Sequence, residues 1–260
     1  MIKDGAHNAF VNMAIDEAVL RARIEGLAPN TLRLYRWSPS AVSVGRFQKV
    51  ESEVQVENCQ KLGVDVVRRI TGGGTVYHDA EREVTYSVVA TKKDLGTEDI
   101  TVIYGKIYSG LAEAARILGV SADFSRGDAR NCPNLTVKGR KISGSAQAHR
   151  KGVVLQHGTL LVDVDLEAMF TLLRVPWART CLEVVDVARN KITSMRKELG
   201  RSVSTDEVAE TLAQGFEKAL DIKLTNGELT PHEHAMAESL CSRKYATAQW
   251  NLNGTSLQTP

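Results

Sequence analysis

Over the first two dozen residues, apolar side chains recur at helical spacing: Phe10, Met13, Ala14, Ala18 and Val19. That periodicity predicts a helix over 8–24. Short apolar runs broken by turn-forming residues predict strands near 31–36, 41–46, 64–69 and 84–91. Thr101 as a cap, with Ile103, Ile107, Leu111 and Ala114 on one stripe, predicts a helix over 101–118. Strands return at 134–138, 140–147 and 153–163, the first two joined by a turn at Lys138-Gly139. The last third reads as mainly helical. Leu166 to Leu173 forms one short helix. Residues 205–219 follow Ser204-Thr205 and turn Val208, Leu212 and Phe216 inward, and 231–243 start at Pro231, a favoured first helical position. Hairpin-spaced strands between helices predict an α+β fold, a mixed, largely antiparallel sheet flanked by helices. At 260 residues the chain could be one large domain or two small ones, and it shows no internal repeat or Pro/Gly-rich linker. The polar stretch from Asp123 to Asn134, which includes Arg126, Gly127, Asp128, Arg130 and Pro133, is expected to be a mobile loop.

Composition narrows the function. The chain is 43% hydrophobic and 25% charged, ordinary for a globular protein. A formal charge of only +2, with no basic tail, argues against nucleic acid as a partner. No apolar run has the length of a membrane span, and the N-terminus lacks a secretory signal, so a cytoplasmic protein is expected. Cys59, Cys132, Cys181 and Cys241 are far apart and form no CxxC pair, which disfavours a zinc site or a disulfide framework.

Two strings carry candidate chemistry. The first is Arg68-Arg69-Ile70-Thr71-Gly72-Gly73-Gly74-Thr75-Val76-Tyr77-His78-Asp79. Consecutive glycines let main-chain N–H groups approach an anion, and an adjacent arginine offers a charged fork for phosphate or carboxylate. Neither a P-loop nor a GxGxxG pattern is present. The second string runs from Val137 to Gln147, with Lys141 beside the small residues Ser143, Gly144, Ser145 and Ala146, and is followed by Leu155-Gln156-His157-Gly158-Thr159-Leu160-Leu161. Small residues keep a strand narrow enough for a ligand to lie against it.

In order and spacing, these strings resemble the catalytic domain of lipoate-protein ligases, with ligase-like octanoyltransferases as close relatives and biotin-protein ligases sharing the fold. The resemblance runs from about residue 8 to about residue 251, and includes Asn12 to Ala18, Leu34 to Trp37, Ser43 to Gln48, Lys244-Tyr245 and Trp250-Asn251. It implies the α+β fold that biotin ligases share with class II aminoacyl-tRNA synthetases. It also implies a single catalytic domain over residues 1–260, without the small accessory domain of larger ligases and with a separate accessory subunit as a possible partner.

The leading expectation is a lipoate-protein ligase. Such an enzyme activates lipoate or octanoate with ATP to acyl-AMP, then passes the acyl group to a lysine of a lipoyl acceptor domain of E2 or H-protein type. The resemblance casts Lys141 as the catalytic charge. It assigns Arg69, Gly74, Thr75, Val76, Tyr77, His78 and Lys141 to ATP and lipoyl-AMP, and Gly45, His157, Gly158 and Thr159 to the acyl pocket, with Val44, Val153 and Leu160 as further tunnel candidates. Mg²⁺ is expected with the ATP phosphates, but no paired-carboxylate motif names its ligands. The unbroken glycine run favours the ligase. The alternative is an ATP-independent octanoyltransferase, in which Cys132 takes octanoyl from a carrier-protein thioester and a neighbouring cation such as Lys141 favours its thiolate. A third option is a non-catalytic scaffold that binds acyl-AMP or acceptor domains. Biotin is disfavoured as substrate, because the second string resembles the lipoate branch.

Overall fold

The computed structural model describes residues 1–127 and 132–254. Among these residues, ten strands form two sheets with helices packed against them, the α+β architecture read from the sequence. In chain order the first elements are β1 (Ile2–His7), α1 (Ala9–Ile24), β2 (Thr31–Trp37), β3 (Ala41–Val44), α2 (Val50–Glu53), α3 (Val56–Lys61), β4 (Asp65–Arg68), β5 (Val76–His78) and β6 (Glu83–Thr91). After α4 (Lys92–Leu95) and α5 (Ile100–Leu118) come β7 (Asp123–Ser125), β8 (Asn134–Val137), β9 (Arg140–Arg150) and β10 (Val153–Leu161). The seven-stranded sheet has the order β1-β2-β6-β10-β9-β8-β7 and is antiparallel except for the β1–β2 pair. In the three-stranded sheet, β3 lies between a parallel β4 and an antiparallel β5.

Helices follow β10 as α6 (Leu166–Leu172), α7 (Cys181–Ala188), α8 (Met195–Leu199), α9 (Thr205–Leu220) and α10 (Pro231–Leu240). A π-helical turn at Cys241–Tyr245 leads to α11 (Ala248–Asn253). The large sheet is covered on both faces, and the two-residue period of its strands sorts their side chains between two cores. Leu32 and Leu34 of β2, with Val84, Tyr86 and Val88 of β6, pack with Ile107 and Leu111 of α5 and Phe216 of α9. Tyr35, Trp37 and Val89 face the other way, toward Met13, Ala14 and Ala18 of α1 and Leu240 of α10. A third cluster, including Val42, Val44, Cys59 and Leu172, joins the small sheet to α3 and α6.

Several elements depart from the sequence reading. Asp99, not Thr101, caps α5, accepting from the backbone N–H groups of Thr101 and Val102 at 2.7 and 3.0 Å. The expected loop at 123–134 begins as β7, which pairs with β8; residues 128–131 lie outside the described residues. Strand β1 was missed because its sequence, IKDGAH, carries no apolar alternation. The short helices α2, α3, α7 and α8 have too few turns to show a stripe. Among the described residues, no helix is long and apolar enough to cross a membrane.

One polar contact sits inside the α1–sheet core. Arg33, 1% exposed, donates to Asp4 Oδ2 at 2.6 Å, Asp16 Oδ1 at 2.9 Å and Asn12 Oδ1 at 2.7 Å. Its guanidinium also lies 3.8 Å from the Tyr35 ring centroid. Removing one partner of a buried ion pair leaves the other charge desolvated and unpaired. Arg33→Met is therefore expected to destabilise the protein by about 3–5 kcal/mol. A urea melt should show a lower midpoint at unchanged slope.

Candidate active site

Lys141 stands at a bulge. Leu135 of β8 pairs with Ser143 of β9, but Thr136 pairs with Lys141, so one extra residue is inserted in β9. Bulges re-aim the side chains they carry. The chain after α7 fixes the position: Lys141 N–H donates to Lys191 O at 2.8 Å, and Lys141 O accepts from Thr193 N–H at 2.9 Å. The Lys141 side chain then runs along its own strand. A Cβ on Gly144 would stand 2.6 Å from both Lys141 Cε and Nζ, so only glycine leaves that path open. Solvent reaches Lys141 through the cavity described below, but protein crowds its ammonium. The desolvation lowers its pKa, while Cys132 acts to raise it and Arg69 to lower it.

Arg69 sets the conformation of the glycine bend. Nη2 donates to the carbonyls of Gly72 and Gly74 at 2.9 and 2.6 Å, Nη1 to Ser43 O and Oγ at 2.9 and 3.1 Å, and Nε to Thr71 Oγ1 at 3.2 Å. A guanidinium has five N–H donors, and all five are used here within the protein. Burial pushes the Arg69 pKa down to about 10, which keeps it charged at neutral pH. The bend also needs Gly45, since a Cβ there would stand 2.1 Å from Gly73 O.

Two histidines flank the bend, both buried and both fully partnered. His157 Nδ1 is 2.8 Å from Asp16 Oδ2, and its Nε2 is 2.8 Å from Thr71 Oγ1. Asp16 also accepts from Arg33 and Tyr35, so it is a carboxylate, and His157 carries its proton on Nδ1. Thr71 then donates to His157 and accepts from Arg69, which links α1 to the bend. His78 Nδ1 is 2.8 Å from Glu83 Oε1, its Nε2 is 2.8 Å from Ser43 Oγ, and its ring stacks on Trp37 at 4.0 Å.

These groups line one cavity of about 440 Å³, within the size range of small-molecule sites. Of the sequence-derived candidates, Arg69, Gly74, Thr75, Val76, Tyr77, His78, Lys141, His157, Gly158, Thr159 and Cys132 all border it. Cys132, on the segment entering β8, is exposed. Gly45 lies behind the bend, and Val44, Val153 and Leu160 are buried in the cores. Arg68 is structural: it is buried and donates to the carbonyls of Gly45, Gln48, Trp250 and Leu252. Sequence reasoning missed much of the apolar lining, among it Trp37, Leu161, Met169, Phe170, Leu173 and Ile192. Met169 and Phe170 belong to α6, which is too short to show which of its side chains line a cavity. Asp16 was passed over because one carboxylate in a helix gives no sign of its distant partner.

The family model of the lipoyl protein ligase A/B catalytic domain matches residues 8–217. The chain belongs to this family. Among its relatives, the octanoyltransferase LipM of Kyrpidia tusciae is 40% identical, over 96% of this chain and 97% of its own. That of Brevibacillus brevis is 37% identical, over 95% and 96%. Among solved structures, the bipartite lipoate protein ligase of Thermoplasma acidophilum, described with its E2 lipoyl domain, has a TM-score of 0.84 at 29% identity. That match covers 100% of this chain and 98% of the other.

These relatives correct the leading expectation. Full-length likeness to octanoyltransferases, at higher identity than to the ligase, overturns the ATP-dependent lipoate ligase as the main reading. ATP, Mg²⁺ and lipoate fall with it as required cofactors and substrate. The site agrees in physical terms. The unbroken glycine run had suggested a phosphate-binding elbow, yet its Gly72 and Gly74 carbonyls turn toward Arg69. Arg69 has no free N–H in this arrangement, and neither ring nitrogen of His78 is free. The glycines serve the packing of the bend.

The buried pair predicts a two-stage acid response. Burial lowers the His157 pKa from its ordinary 6.5, against the opposing hydrogen bond and charge of Asp16. The folded state then binds fewer protons than the unfolded state just below pH 6.5, so stability falls as pH drops through that window. For Asp16, burial acts to raise the pKa, but the His157 hydrogen bond and Arg33 outweigh it and hold it below 3.8. Its contribution is present above 3.8 and is lost as pH falls through the depressed value. Urea midpoints measured against pH should show both stages. His157→Gln should flatten the upper one, leaving the part due to His149, which burial also lowers.

Proposed function

We propose that this chain moves an octanoyl group from a carrier-protein thioester to a lysine of a lipoyl acceptor domain, with Cys132 as the nucleophile. The observation that carries this reading is that Cys132 and Lys141 line the same cavity, together with an apolar lining able to take a hydrocarbon tail. The octanoyltransferase relatives, and the E2 lipoyl domain named with the Thermoplasma acidophilum ligase, support the reaction and the acceptor class.

The chemistry takes two exchanges at one carbonyl. The Cys132 thiolate attacks the thioester carbon; a C–S bond to Cys132 forms, the C–S bond to the carrier breaks, and the carrier leaves as a thiol after taking up a proton. The acceptor amine then attacks the acyl-Cys132 carbon. A C–N bond forms, the C–S bond breaks, the amine gives up its proton to solvent, and the Cys132 thiolate is restored. Each tetrahedral intermediate carries an oxyanion, and the Lys141 ammonium is the fixed positive charge placed to stabilise it. The apolar wall of Trp37, Leu161, Met169, Phe170 and Leu173 accommodates the hydrocarbon tail. His157, Gly158 and Thr159 border the acyl group on the β10 side, and Gly74 to Tyr77 face it across the cavity.

Octanoyl carrier thioester and a lipoyl acceptor domain, mixed with the purified protein in the absence of ATP, should give octanoylated acceptor. Without acceptor, intact mass should rise by one octanoyl group, placed on Cys132. Cys132→Ser should lose both the adduct and turnover; a variant that still transfers at the wild-type rate sinks this reading. Lys141→Ala should lower the rate by roughly a hundredfold or more, with little change in melting temperature. Gly144→Ala should push the ammonium from its path and cost about tenfold to a hundredfold in rate.

A further inference from the structure

We propose that Tyr108 is a positioning residue for the transfer, holding the segment entering β8 so that Cys132 faces the acyl carbonyl. This rests on the reading of Cys132 as the nucleophile. Tyr108 does not border the cavity. It lies on α5 and is fully buried, with its ring stacked on Tyr104 at 6.4 Å and against Phe124 at 5.3 Å. From that packed base its hydroxyl reaches out of the core and donates to Pro133 O at 3.1 Å. Pro133 directly follows Cys132.

The hydroxyl is aimed by further hydrogen bonds. Ser145 Oγ donates to Tyr108 Oη at 2.9 Å, so the Tyr108 proton is left for Pro133. Gln156 Nε2 in turn donates to Ser145 Oγ at 3.1 Å and to Tyr86 Oη at 3.2 Å, and Gln156 Oε1 accepts from Gln147 at 2.5 Å. The brace therefore starts in the centre of the large sheet, on β6, β9 and β10. Burial raises the Tyr108 pKa well above 10, which keeps its hydroxyl a neutral donor throughout the working range. Asn134 Nδ2 adds a local contact, donating to Cys132 O at 2.8 Å.

The exposed position of Cys132 makes such a brace necessary. Few contacts of its own fix an exposed side chain, yet in-line attack on a thioester tolerates little misplacement. The sheet and α5 supply the rigidity, and Tyr108 transmits it through one backbone carbonyl. Pro133 assists from the other side, because its ring fixes φ at the residue where the brace is attached.

Tyr108→Phe keeps the buried ring and removes the hydroxyl. We expect single-turnover formation of octanoyl-Cys132 from the carrier thioester to slow by about five- to tenfold, as for loss of one hydrogen bond felt mainly in the transition state. KM for the carrier should stay the same. Alkylation of Cys132 by iodoacetamide, a small reagent that needs no docked geometry, should proceed at the wild-type rate or faster. Slow acylation with intact alkylation supports the proposal. Wild-type acylation overturns it, and so does an equal slowing of both reactions, which points to the thiol's reactivity and not to its placement. Should Tyr108→Phe fail to fold, Ser145→Ala, which frees the hydroxyl to turn, should give the same split to a smaller degree; an unchanged acylation rate there overturns the proposal. Cys132→Ser run alongside separates the two levels. If it remains active, the nucleophile reading has failed; if it is inactive while Tyr108→Phe matches wild type, only the positioning role has failed.

Discussion

The buried guanidinium of Arg69 is the constraint on which the site depends. A charge inside a protein is tolerated only when its hydrogen-bonding capacity is met, and here five acceptors converge on it from Ser43, Thr71, Gly72 and Gly74. Meeting that demand folds residues 71–74 into a bend, with the carbonyls of Gly72 and Gly74 turned inward. The bend in turn requires Gly45 behind it, where no Cβ fits against Gly73. The same charge adds to the effect of burial in lowering the Lys141 pKa.

A second polar system ties the site to the scaffold. Arg33, Asp16, His157 and Thr71 form a continuous chain of hydrogen bonds from β2 through α1 and β10 to the bend. Each link satisfies a group that would otherwise be buried without a partner. The glycine bend is consequently not a free loop on the rim of the sheet. Its Thr71 is coupled to a carboxylate in the first helix, far away in sequence. On the far wall, the segment that carries Cys132 is joined to α5 and the central strands in a comparable way, through Tyr108, Ser145 and Gln156. Both walls of the cavity thus draw their geometry from the large sheet.

Much of this was legible beforehand where the signal was local. The 3.6-residue stripes of α1, α5 and α9 and the alternation in β2 and β6 marked the core faces, because burial of one face imposes the period. Lys141, the glycine bend and His157 stood out as rare residue combinations. The segment from α6 to α8, which gives the cavity Met169, Phe170, Leu173 and Ile192, was read only in part, as its short helices carry too little periodicity. The error over ATP has a physical source. Arg69 beside three glycines suits a phosphate as well as it suits a set of backbone carbonyls, and the letters alone do not say which way those carbonyls turn.

The sequence by itself determined the fold class and the family, and it named most of the polar side chains that border the cavity, since these follow from hydrophobic period and from motifs contained in contiguous stretches. Only the tertiary structure decided what each group is doing. It spends every donor of Arg69 inside the protein and closes His78 and His157 into fixed pairs. It also stretches Lys141 over Gly144 at a bulge and places Tyr108 behind Cys132. Some of those outcomes depend on contacts between residues far apart in the chain, such as His157 with Asp16 and Tyr108 with Pro133, and the rest on strand register and on the direction of individual carbonyls. None of these leaves a pattern along the chain.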